Sequence, residues 1–210
     1  AGPASLLIAR GSNVRFMHQM IAEKVLAHFQ GGRSDEWRLD LKTYSISLVR
    51  DAVEAAGAEA MRTLFRQMFV DRMGAFDGAE DREEFAPIIE SLDALDPALG
   101  HSVLEFLCRE CPEESHFWSH LGRHQIYRLK RDYDKAGEYL QRAIALDQSD
   151  PVHHHTYGLV LRSQLRHQLA ALSREADIIS VFNGLHPLFD RAAAEFEESR
   201  RLSPDNVYGY

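Results

Sequence analysis

The sequence predicts a mainly α-helical chain that opens with a short β-hairpin and closes with a pair of α-α repeats. Three observations predict it. Apolar residues recur at intervals of three and four along most of the 210 residues. Glycine and proline fall mainly at breaks between those runs. The C-terminal third resembles itself at two places.

The elements follow in order. Leu6-Leu7-Ile8-Ala9 and Val14-Arg15-Phe16-Met17 are short and apolar, and Arg10-Gly11-Ser12-Asn13 lies between them as a turn. A helical pattern of Ile21, Val25, Leu26 and Phe29 follows, closed by Gly31-Gly32. A lone two-stranded hairpin is marginal in water, so this one is expected to belong to a small domain that starts earlier. From about 36 to 111 three or four further helices are expected. Trp37 and Leu39 lead into one from about Lys42 to Ala56. In the next, Met61, Leu64, Phe65, Met68 and Phe69 form one stripe, with Arg62 and Arg66 off it. The acidic run from Asp77 to Glu84 reads as a solvated loop entering a helix, where acids suit the N-terminal dipole. Phe85, Ile88, Ile89 and Leu92 form another stripe, as do Val103, Leu104, Leu107 and Cys108.

The repeat is seen by placing Tyr133–Leu146 over Phe189–Leu202. Aromatic, Asp, basic and Ala coincide at the start; Leu140 falls on Phe196 and Leu146 on Leu202. Trp118, Leu121 and Gly122 precede the first copy, and Tyr157 and Gly158 precede the second. Small Gly122 and Ala136 would let two antiparallel helices approach closely, with Trp118 and Leu140 filling the space beside them. Ala143 is where a following helix would press; Gly158, Ala192 and Phe196 take the corresponding places in the second copy. This pattern resembles the tetratricopeptide repeat. The second copy departs from it, since Gly158 to Ala192 is about twenty residues longer than Gly122 to Ala136. Those residues look helical and are expected to form an elongated or extra helix projecting from the stack.

Composition narrows the function. Twenty-four Lys and Arg stand against 32 Asp and Glu, a net charge of −8. That balance argues against binding driven by neutralising phosphates, so nucleic acid is not an expected partner. No run of about 18 apolar residues offers a membrane span. With only Cys108 and Cys111, a disulfide scaffold is excluded and a reducing, cytoplasmic setting is expected. The chain lacks an initiator Met and ends in Val207-Tyr208-Gly209-Tyr210. It reads as a piece of a longer protein.

Candidate chemistry is sparse. Cys108 and Cys111 precede His116, His120 and His124, three histidines at helical spacing, so a Cys₂His₂ zinc site is conceivable. Packing is the preferred reading, because Cys108 continues an apolar stripe and the histidines share a helix with Trp118, Leu121 and Gly122. No metal site is assigned. His153-His154-His155 points three ways around a helix start and reads as solvated. The chain contains no Gly-Lys and no Gly-x-Ser-x-Gly, so neither a phosphate-binding loop nor a nucleophile elbow is present, and no catalytic residue is assigned.

One stretch carries a further resemblance. In Val14-Arg-Phe-Met-His18-Gln-Met-Ile-Ala-Glu23, a strand ending in Arg-Phe-Met-His runs into an amphipathic helix. This resembles the end of the winged-helix domain of STAND-class P-loop NTPases, whose Met-His-Asp motif places its His on the phosphates of bound nucleotide. Met17 and His18 match; Gln19 stands where the motif has Asp, leaving an Asp-dependent contact unsupported. Within that class, His18–Glu23, Cys111–Arg123, Tyr157–Arg162 and Arg201–Tyr210 resemble the sterile-alpha-motif-containing antiviral proteins and their bacterial defence relatives. The resemblance implies three regions: the end of a winged-helix domain (1–32), a helical linker domain (33–112), and tetratricopeptide-like repeats (113–210) with an insertion at about 165–187. It also implies a non-catalytic regulatory or sensor segment in innate immunity or antiviral defence, acting by autoinhibition and protein–protein contact. No cofactor is expected in this segment; ADP or ATP is expected in the parent protein. Expected partners are proteins or other domains of the same chain, with possible oligomerisation of the parent. The alternative is a stand-alone tetratricopeptide interaction scaffold.

Overall fold

The computed structural model describes residues 7–10, 13–16, 35–70, 85–129, 131–172 and 178–204. Among these residues there are eight helices: α1 (Asp35–Ala56), α2 (Ala58–Phe69), α3 (Pro87–Asp93), α4 (Pro97–Glu110), α5 (Ser115–Tyr127), α6 (Tyr133–Leu146), α7 (Pro151–Ala170) and α8 (Ile178–Leu202). α1 begins at Asp35, about two turns before the expected start, so Trp37 and Leu39 belong to it.

The expected fold class is corrected at its N-terminus. The fold is a helical array, and a winged-helix remnant is not supported. Among the described residues Leu7–Arg10 pairs antiparallel with Asn13–Phe16 in a two-stranded sheet, and every other element is a helix. The helix expected from Ile21 to Phe29 lies outside the described residues, as do His18 and the acidic run 77–84. A two-stranded ribbon does not by itself define a domain.

Helix boundaries follow local chemistry. Gly57 separates α1 from α2 at φ 81°, a conformation that a Cβ disfavours. Proline opens α3, α4 and α7, where its missing N–H costs no hydrogen bond. Asp96, Asp132 and Asp150 cap α4, α6 and α7, each accepting a backbone N–H from the first turn at 2.8–3.0 Å.

Two apolar clusters hold the array. The first draws on α1 to α5 and includes Val49, Phe65, Phe69, Ile89, Leu104, Leu107, Phe117 and Leu121. The second lies among α5 to α8 and comprises Ile126, Ala136, Leu140, Tyr157, Val160, Leu161 and Ala192. α5 thus contributes to both, and Tyr127 packs against both. Among the described residues no helix is long and apolar enough to cross a membrane.

Candidate functional site

The repeat residues meet at two helix crossings. A Cβ at Gly122 would stand 3.0 Å from the Ala136 carbonyl oxygen and 2.9 Å from Leu140 Cγ, so α5 and α6 touch backbone to backbone there. Leu121, Ala136, Leu140 and Ala143 are buried. Trp118 is half-buried; its indole N–H donates to the Pro112 carbonyl at 2.9 Å and its ring lies 6.0 Å from that of Tyr139. The second crossing repeats the first. A Cβ at Gly158 would stand 2.7 Å from the Phe196 ring, with Ala192 buried one turn away. Tyr157 is buried, and its hydroxyl accepts hydrogen bonds from Gln141 (2.8 Å) and Arg191. The extra residues of the second copy lengthen α7 and α8 rather than form a separate helix among the described residues. Leu169, Leu172, Phe182 and Phe189 on that lengthened hairpin are exposed.

Among the described residues no metal-like cluster joins the α5 histidines to the cysteines. Each step of four residues turns about 40° around a helix, so His116 and His124 diverge by about 80°. His124 faces α3: it is fully buried, and its Nε2 lies 2.9 Å from both Asp93 carboxylate oxygens. Phe85 edges onto its ring at 5.1 Å, and the His101 ring lies 5.5 Å away. Arg128 closes the pocket, donating through Nη2 to both Glu90 oxygens at 2.8 and 2.9 Å. The Glu90 carboxylate also accepts the Phe85 N–H at 2.6 Å. Burial pushes both cysteine thiols up.

Asp93→Ala leaves the His124 N–H buried without an acceptor and weakens the hold on Arg128. We expect a loss of about 3 kcal/mol of stability, the scale of an uncompensated buried polar pair. Urea unfolding checks it; a loss below about 0.5 kcal/mol, the range of ordinary surface changes, would make the pair incidental.

The histidine run on α7 is also corrected: it is not solvated. It does point three ways, but each ring meets protein. His153 and His154 are buried and His155 is half-buried. His154 Nδ1 meets Glu195 at 2.8 Å, and His155 edges onto Phe196 at 5.6 Å. Burial, joined by nearby Arg162, lowers His155 to about 4. His153 is fully enclosed and turns toward His116, with ring centroids 5.0 Å apart. Asp150 lies beside both, its Oδ2 3.5 Å from His116 Nε2 and 3.6 Å from His153 Nε2. Burial lowers His153 to about 4 against the pull of Asp150, so its imidazole is neutral at pH 7. The sequence offered one signal for this pocket, the Asp-Pro-x-His start of α7. What it lacked was the pairing with α5.

No known family model matches the chain, and no curated protein matches it.

Proposed function

We propose that this chain is a helical-repeat segment that works by contact with protein, either a partner or another domain of the same molecule. The observation that supports the reading is the recurrence of one crossing: Gly122 against Ala136 and Leu140, and Gly158 against Phe196. A unit that packs on its own successor builds an extended surface rather than a closed cavity, which suits recognition of other chains. The elongated α7–α8 hairpin adds to that surface.

The more specific role is the regulatory and sensor segment of a cytoplasmic, nucleotide-gated STAND NTPase in antiviral defence. It rests on the resemblance around Met17 and His18 and on the order of elements after it. In this role the segment holds the resting state, and His18 contacts the phosphates of ADP bound by an upstream ATPase core. A compact donor able to carry charge suits that contact. The switch is a domain equilibrium that nucleotide or trigger shifts by differential affinity.

The test uses the intact parent protein. His18→Ala is expected to weaken ADP retention and raise basal activity. Unchanged nucleotide content with unchanged basal activity would remove the nucleotide-gated reading. A parent with no P-loop before Ala1 would leave the stand-alone scaffold.

A further inference from the structure

The geometry points to a divalent transition-metal site, zinc being the first candidate, formed by His116, Asp150 and His153 where α5 meets the start of α7. Two imidazole nitrogens and one carboxylate oxygen, one from each residue, lie within 4.8 Å of one another. Two of the separations already match a metal site: tetrahedral ligands at zinc bond lengths stand about 3.3 Å apart, against 3.5 Å for His116–Asp150 and 3.6 Å for His153–Asp150. The third separation, between the two imidazole nitrogens, is within 4.8 Å. Both observed separations are too long for strong hydrogen bonds, so the cluster does not satisfy itself.

His153 carries the second observation. Its ring is fully buried, and neither nitrogen has a hydrogen-bond partner. Buried polar atoms in native proteins are nearly always paired, and an orphan aimed at a neighbouring carboxylate and imidazole is accounted for by a shared ion. Asp150 is already oriented for the task. Its Oδ1 accepts the Val152 N–H at 2.8 Å as the α7 cap, which leaves Oδ2 facing the histidines. Such anchoring of a ligand's second atom is what fixes metal ligands in place. Asp147, whose Oδ1 accepts from both the Ser149 N–H and its hydroxyl, holds the loop and adds negative charge nearby. The His116 and Asp150 side chains keep 19% and 14% of their surface open, which gives an ion a way in. Nitrogen-rich donors with one carboxylate select zinc and its neighbours over calcium or magnesium. Three protein ligands leave a fourth position for water. The ion clamps one helical hairpin to the next, because His116 belongs to the first and Asp150 and His153 to the second.

The test uses the full chain, stripped with a chelator and titrated with zinc by calorimetry and with cobalt by visible absorption. One ion per chain is expected, with a rise in thermal midpoint that grows with metal concentration. Asp150→Asn keeps the helix cap but removes the carboxylate, and His116→Gln changes a partly exposed ligand, so both variants should fold. Each should bind at least about tenfold more weakly, since even outer partners of metal ligands are worth that much. His186→Ala, which removes the exposed His186–Asp190 pair, should bind as before. The proposal is overturned by no saturable binding, by undiminished binding in both ligand variants, or by binding lost instead in Cys108→Ser or Cys111→Ser.

Discussion

Gly122→Val is expected to lower stability by about 3 kcal/mol, at the upper end of what overpacking costs. For a chain of this size that is a fall of roughly 6–12 °C in thermal midpoint. The magnitude follows from what the new atoms meet. The first would stand 3.0 Å from a backbone oxygen of α6 and 2.9 Å from Leu140 Cγ, and a backbone cannot rotate aside as a side chain can. α5 and α6 must separate, which opens the second apolar cluster at Ala136 and Leu140. Two neighbours set the scale. Gly158→Val meets the ring of half-buried Phe196, which can swing, so its cost should be smaller. Gly137→Ala places its methyl an ordinary 3.7 Å from Tyr157. It should therefore gain about 0.5–1 kcal/mol from helix propensity. Thermal unfolding followed by circular dichroism ranks all three. Equal effects at 122 and 137 would mean that the crossing is not tight.

Acid should unfold this protein earlier than its carboxylates alone would require. Burial lowers His101, His153 and His155 to about 4, from an ordinary value of 6.5. The unfolded chain then takes up three protons between pH 6.5 and 4 that the folded chain refuses. Stability is complete above about 6.5 and falls as pH drops toward 4. Each group withdraws up to about 3 kcal/mol over that window. Urea midpoints between pH 7 and 4.5, with chelator present, should decline steeply. His101→Gln should flatten part of the slope. A level profile from pH 7 to 5 would show that these rings are protonated without cost.

How much of this was legible in the sequence depends on how far apart the partners lie. Stripes such as Val103, Leu104 and Leu107 identify a helix and its buried face within one turn, and all three are buried in α4. The pairing of Gly122 with Ala136 and Leu140 was legible because a repeat brings its own template. Asp93 with His124 was not, since 31 residues separate them and neither belongs to a pattern. The three α5 histidines looked like one face. The drift of a 3.6-residue helix sends one end of the row to α7 and the other to α3. The His153 run looked solvated because nothing local says that α5 will cover the first turn of α7. At the N-terminus, two short apolar runs either side of a Gly/Asn turn suggested a hairpin belonging to a small domain. Whether a layer packs on a strand is not a local property, and there the winged-helix expectation gave way.

The position of α5 has a further thermodynamic consequence. Phe117 and Leu121 close one cluster and Ile126 the other, within a single helix of 13 residues. Loss of that one rod uncovers both sides in the same event. Stabilisation delivered at α7 and α8 is therefore expected to reach helices on the far side of α5.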